Sequence, residues 1–197
     1  MANVNKDHLI VFVKNPVLGK VKTRLAKGIG EEKALEVYLQ LLEITRQVTA
    51  QVECTRNVFY SSEIEDDDWS NTDFQKYLQQ GVSLGERMKN AFAKVFEFGA
   101  EKVLIIGSDC PKISPKIINQ AFEELDRKDV VIGPAKDGGY YLLGMKKPLS
   151  FLFENKEWST DSVFEDTVLD IIENRLSYSR LETLSDVDNI YDLHLLD

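Results

Sequence analysis

The sequence predicts an α/β protein built on a mostly parallel, doubly wound sheet with one antiparallel hairpin element. Three observations carry that expectation. Short apolar runs rich in β-branched residues occur at 8–14 and 103–106. Helical repeats of apolar residues lie between such runs, and 129–144 reads as two strands around a glycine turn. Continuous apolar runs suit strands buried on both faces. Their alternation with helices is the pattern of a sheet covered on each side.

Composition narrows the chemistry. We read residues 1–197 as a single domain, long enough to bury a sizeable core, without internal repeat or linker. The formal net charge of −9 and a pI near 4.9 argue against a nucleic-acid partner. No apolar run reaches membrane-spanning length, and no signal-peptide pattern opens the chain. The two cysteines, Cys54 and Cys110, imply no disulfide framework. The expectation is a reduced, cytoplasmic protein. The only histidines, His8 and His194, lie near the chain ends, which argues against a zinc site or a serine–histidine triad. Chemistry then falls to carboxylates, lysines, arginines and a metal.

The first strand is 8–14, around LIVFV. Asn15, Pro16 and Gly19 then open a loop in which Lys14, Lys20, Lys22, Arg24 and Lys27 occur with no acid among them. A basic loop leaving a central strand is placed to hold a pyrophosphate through cationic side chains and backbone N–H groups; a merely solvated loop is the competing reading. We expect Lys22 and Arg24 on the phosphates and Lys14 and Lys27 farther out. A long helix over 31–52 follows, its face made by Ala34, Val37, Tyr38, Leu41, Thr45, Val48 and Val52. A second strand is expected at 56–61. The acidic stretch 63–68 lacks counter-charges nearby and reads as a solvated loop.

Ser83 and Glu86 have capping-box spacing and start the next helix. Gly81 and Gly85 flank that entry and leave room for a flat ligand, although a plain helix start explains them equally well. The central stretch is 103–111, VLIIGSDCP. Gly107 permits a bend and Pro111 lacks a ladder donor, so Ser108 and Asp109 emerge where the strand ends. Ligands of open α/β sheets bind at the carboxyl ends of strands. A carboxylate held there suits a hard cation carrying phosphates, and a turn or cap role is the alternative for Asp109. Ser114-Pro115 opens the following helix.

Strands at 130–134 and 139–144 flank a turn at 136–138, with Lys136, Asp137 and the pair Tyr140-Tyr141 available to an acceptor pocket. Asp137 is the candidate to orient a hydroxyl or take its proton. Ser162 and Glu165 again have capping-box spacing, for a helix over 162–174. A last strand at 176–183, the acidic SDVDN at 185–189 and a short amphipathic helix at 190–196 close the chain. Asp109 and Asp188 are the two acids able to share one cation, and all-oxygen ligation favours Mg²⁺ or Mn²⁺ over zinc.

Five segments in order, FVKNPVLGKVKTRLA, GVSLGERM, GSDCPKI, GPAKDGGYYLLG and DVDNIYDL, resemble the bacterial GT-A-fold nucleotide-diphosphate-sugar transferases. More narrowly, they resemble the group known as selenodomain-associated transferases or as a glycosyltransferase-like domain of unknown function. The resemblance spans almost the whole chain. It implies a GT-A-like sheet of about seven strands with helices on both faces. It implies that Lys22 and Arg24 belong to the phosphate loop, that Gly81, Leu84 and Gly85 lie near the base, and that Ser108 and Asp109 belong to the nucleotide site. It gives Asp109 and Asp188 the metal, Mg²⁺ or Mn²⁺, and turns Asp137, Gly138, Gly139 and Tyr140 toward the sugar or acceptor. The central motif reads Ser-Asp-Cys where the family pattern is Asp-x-Asp. The implied activity is transfer of a sugar from a nucleotide-diphosphate-sugar to a small acceptor. Nucleotidyl transfer from a nucleoside triphosphate with release of pyrophosphate, or a silent nucleotide-sugar binding module, are the alternatives.

Overall fold

The computed structural model describes residues 6–196. Seven strands form one sheet: β1 (Asp7–Val13), β2 (Thr55–Tyr60), β3 (Phe74–Leu78), β4 (Lys102–Ile106), β5 (Val130–Pro134), β6 (Tyr140–Met145) and β7 (Tyr178–Arg180). Their order is β3-β2-β1-β4-β6-β5-β7. All pairings are parallel except those of β6, which runs antiparallel to both β4 and β5. The expected hairpin is therefore present, with β6 inserted between β4 and β5.

Strand periodicity explains the two-sided burial. Leu9, Val11, Leu104 and Ile106 point to one face and pack with Ile117, Ile118, Ala121 and Phe122 of α4 (Pro115–Glu124). Ile10, Val103 and Ile105 point to the other. There they meet Met88, Phe92 and Val95 of α3 (Leu84–Glu97) and Phe164, Val168 and Ile171 of α5 (Val163–Glu173). Alternation along a strand permits this only if both faces are apolar, as the runs at 8–14 and 103–106 are. No helix among the described residues is long and apolar enough to cross a membrane.

Several local expectations are corrected. The basic stretch is not all loop, because Thr23–Ile29 forms α1 ahead of α2 (Glu31–Ala50). The helix has neither a side-chain cap nor an acid in its first turn, so its sequence carried no start signal. It is held through Leu25, packed with Ala34, Leu41 and Val187. Strand β3 has no counterpart among the expected strands, because FQKYL is an edge strand with little apolar patterning. The acidic stretch 63–68 is tied down rather than merely solvated. Lys76 of β3 pairs with Asp67 at 2.8 Å, and Asn15 Nδ2 donates to Glu65 at 2.6 Å. Its counter-charge arrives from edge strand β3.

Ser83 caps α3 by accepting from Glu86 N at 3.2 Å, but the Glu86 carboxylate accepts from Val82 N instead of closing the box on Ser83. At α5 no box forms; Ser162 has helical dihedrals, and its hydroxyl donates to Asp166. The last strand shrinks to three residues plus a bridge between Ala135 and Leu184, and 190–196 is a 3-10 helix.

Candidate active site

A cleft of about 960 Å³ opens at the carboxyl ends of β1 and β4. Asn15, just past β1, anchors one rim. Its buried side chain accepts from Ser62 N at 3.0 Å and donates to Glu63 O at 2.9 Å. Tyr38 of α2 braces the same turn, donating to Lys14 O at 2.9 Å and accepting from Lys14 N at 2.8 Å. Burial pushes the Tyr38 hydroxyl well above the ordinary range, so it serves as a neutral bracket.

Lys22 stands at the start of α1 with φ of 48°, in the left-handed region. That conformation turns its side chain inward, where only 4% of it is exposed. Its Nζ donates to Val187 O at 2.8 Å and pairs with Asp109 Oδ1 at 2.6 Å. Val187 N in turn donates to Asp109 O at 2.9 Å. Residues 22, 109 and 187 are thus joined, which brings Asp188 to the cleft wall. Arg24, mostly exposed, reaches Asp188 Oδ2 at 3.1 Å. Each candidate metal ligand therefore faces one cation of the basic loop.

Sequence reasoning passed over Asp186. It lines the cleft, and its Oδ1 is buried without a hydrogen-bond partner. Burial, then the negative charges of Asp109, Asp137 and Asp188, push its carboxyl up to about 7, with Lys22 pulling the other way. The Asp-x-Asp spacing absent from the central motif occurs here, at Asp186 and Asp188. That spacing was the available signal.

Of the predicted residues, Lys22, Arg24, Leu84, Ser108, Asp109, Asp137, Gly139, Tyr140 and Asp188 line the cleft, as does Lys14; Lys27 does not. Gly81, Gly85 and Gly138 do not line it; Gly81 is exposed and Gly85 buried. A β-carbon on Gly85 would strike Trp158, and one on Gly138 would strike the Asp161 carbonyl; Gly138 also has φ of 90°. These two glycines let the segment before α5 close against α3 and the β5–β6 turn. Asp137 Oδ1 accepts from Gly139 N at 3.0 Å, which fixes that turn. Tyr140 contacts Met88 Sδ at 3.8 Å, whereas Tyr141 donates to Glu182 O. Cys110 is buried and its thiol is pushed up to about 12, so it is no nucleophile at neutral pH.

Among the described residues no three of the His, Cys, Asp and Glu side chains could hold a metal by themselves. Asp109 and Asp188 present carboxylate oxygens on the cleft wall, the hard donor type that suits Mg²⁺ or Mn²⁺ rather than a soft metal.

The model of a protein family described as uncharacterized proteins conserved in bacteria, DUF2064, matches residues 44–160. A solved chain from Desulfovibrio desulfuricans G20, provisionally named a nucleotide-diphospho-sugar transferase, is 34% identical. It superposes with a TM-score of 0.92, covering 98% of this chain and 87% of that one. A 2-phospho-L-lactate guanylyltransferase from Methanocaldococcus vulcanius is 28% identical over 142 residues, 70% of this chain. The matched stretch spans 61% of that curated relative's length. The 4-diphosphocytidyl-2C-methyl-D-erythritol synthase of Anaerococcus prevotii shares the fold at 12% identity, with a TM-score of 0.65 over 98% of this chain and 95% of its own.

Proposed function

The chain belongs to DUF2064, a family of uncharacterized bacterial proteins, and from that premise we propose a nucleotidyltransferase acting on a nucleoside triphosphate and a small hydroxyl-bearing acceptor. The observation that carries the reading is the sorting of charge within one cleft. Lys14, Lys20, Lys22, Arg24 and Arg87 line it from the β1 loop, α1 and α3, and Asp109 and Asp188 face two of them at ion-pair distance. A wall this basic in an acidic protein suits a triphosphate better than the diphosphate of a nucleotide-sugar. The named activity of the Methanocaldococcus vulcanius relative, a guanylyl transfer, supports the same direction.

In this reading Asp109 and Asp188 would hold Mg²⁺ or Mn²⁺ together with phosphate oxygens, and the bound ion supplies charge neutralisation on the phosphates. Arg24, with its planar fork, holds phosphate oxygens once its partner Asp188 is engaged elsewhere. Lys22 stays between Val187 O and Asp109 and fixes the height of that carboxylate. The acceptor oxygen attacks the α-phosphorus, the bond from that phosphorus to the bridging oxygen breaks, and pyrophosphate leaves with the electron pair. Asp137 orients the acceptor hydroxyl and takes its proton.

Sugar transfer is the second reading. The aromatic sides of Tyr140 and Trp158 favour it, as does the name carried by the Desulfovibrio desulfuricans relative. The test is to supply nucleoside triphosphates and nucleotide-sugars with Mg²⁺ or Mn²⁺ and a small-molecule cell extract, and to follow the leaving group. Pyrophosphate release supports nucleotidyl transfer. Nucleoside diphosphate release overturns it in favour of sugar transfer. Absence of both, with nucleotide still binding, leaves a silent binding module.

A further inference from the structure

We propose that Gln79 selects the base of the bound nucleotide: its side-chain oxygen accepts a hydrogen bond from an exocyclic amino group of that base. The inference rests on the transferase reading of the same cleft. In the sheet order β3-β2-β1-β4-β6, the groups that meet the phosphates and their metal, Arg24 and Asp109, follow β1 and β4. Asp137, on the acceptor, stands in the turn before β6. The base then falls on the other side, over the ends of β2 and β3, two strand spacings or about 10 Å from β4. That stretch of the lining presents Val82, 91% exposed, and Leu84, 43% exposed, apolar surfaces suited to a flat ring.

Hydrogen bonding singles out one atom there. Gln79 Nε2 donates to Val13 O at 3.1 Å and to Phe59 O at 2.9 Å, which uses both of its N–H groups. The reversed amide would set its oxygen against those two carbonyl oxygens, so the orientation is fixed. Oε1 lies on the opposite side of the amide. Among the described residues nothing donates to it, and it is open to solvent on a side chain that lines the cleft. Its neighbours are spent. The carbonyls of Tyr60, Gln80 and Gly81 accept from Gln79 N, Asn90 Nδ2 and Arg87 Nε, and Val82 N donates to Glu86. The hydroxyls of Ser61 and Ser62 donate to Asn15 Oδ1. Lys14, next to Val13, and Arg87 line the cleft and offer only donors. They can meet the carbonyls and ring nitrogens of a base, but an amino group needs an acceptor, and Gln79 Oε1 is held ready for it. A base without the amino group would cover that oxygen and leave it unpaired, the circumstance in which a polar site discriminates most strongly.

Nucleoside triphosphates form pairs that differ at the amino group: GTP and ITP, ATP and purine riboside triphosphate, CTP and UTP. Their dissociation constants are measured by calorimetry with Mg²⁺ and no acceptor, alongside inorganic tripolyphosphate. In the pair that holds the tightest binder, the amino form is expected to bind at least about fivefold more tightly. Gln79→Lys keeps donors for Val13 O and Phe59 O and removes the acceptor, whereas Gln79→Met removes both. In either variant the ratio should fall to about twofold or less while tripolyphosphate still binds. The proposal is overturned if the tightest binder lacks an amino group, if the two members of its pair bind alike in the wild type, or if the preference survives in either variant. Binding of every nucleotide without regard to the base overturns this assignment and leaves the transferase reading standing. Failure of the nucleotides and of tripolyphosphate to bind removes both.

Discussion

Replacing Lys22 with Met tests how the cleft is held together. Methionine keeps most of the buried stem and removes the donor. The loss has two parts. The Val187 carbonyl loses a charged donor at 2.8 Å, carried by a lysine side chain only 4% exposed. Charge-assisted bonds of this kind contribute about 1.5–3 kcal/mol. The pair with Asp109 adds less, because the Asp109 side chain is 42% exposed and exposed pairs contribute about 0–1 kcal/mol. The sum is about 1.5–4 kcal/mol. At roughly 2–4 °C per kcal/mol for a chain of this size, the midpoint should fall by about 3–16 °C. Arg24→Met is the control: its pair with Asp188, at 3.1 Å, is 68% exposed on the arginine, so its removal should move the midpoint by about 4 °C or less. Thermal unfolding followed by circular dichroism, in low salt and chelator, compares the two. Equal shifts would refute the argument, since they would mean that burial of the lysine contributes nothing beyond a surface ion pair.

Three further outcomes are expected. Asp109→Asn should fold normally yet lose Mg²⁺-dependent stabilisation by nucleoside triphosphates, read as a thermal shift with and without the metal. Asp186→Asn should raise stability at alkaline pH and leave it nearly unchanged near pH 4. The native carboxyl keeps its proton up to about 7, whereas the unfolded one releases it near 3.8, so stability drains away between those values in the wild type and not in the variant. Midpoints of the metal-free proteins, taken across that range, check the sign, and parallel curves would refute it. Gly138→Ala combines a left-handed φ of 90° with a collision against Asp161 and should cost more than about 2 kcal/mol, seen in urea unfolding.

The parts of the fold that were legible in the sequence are those where one physical demand dominates. Val103 to Ile106 must be apolar on both faces, and the Asp137-Gly138-Gly139 turn must bend, so both announce themselves. Strand β3 carries Gln75 and Lys76 because it lies at the sheet edge, and edge strands need little apolar patterning. Helix α1 owes its existence to Leu25 meeting Val187, a contact no local window contains. The site divides the same way. Asp109 and Asp188 stand out in the sequence as acids at strand ends, and both line the cleft. Asp186 offers only its spacing to Asp188; what sets it apart, a buried oxygen without a partner, is a property of the surroundings. Trp158 and Asp161 belong to no motif in the sequence, yet the tight fit at Gly85 and Gly138 brings them to the cleft.

The junction at Val187 has a consequence for the order of assembly. Its carbonyl and amide bind residues 165 and 78 positions earlier in the chain. A ribosome-bound chain that has emerged only through β6 already possesses Lys22 and Asp109, which pair with each other, but not the Val187 backbone that binds both. Ordering such distant segments carries a loop-closure cost that is recovered only when the final contact is made. The wall of the cleft is therefore completed after the sheet it sits on, when the segment around Val187 docks.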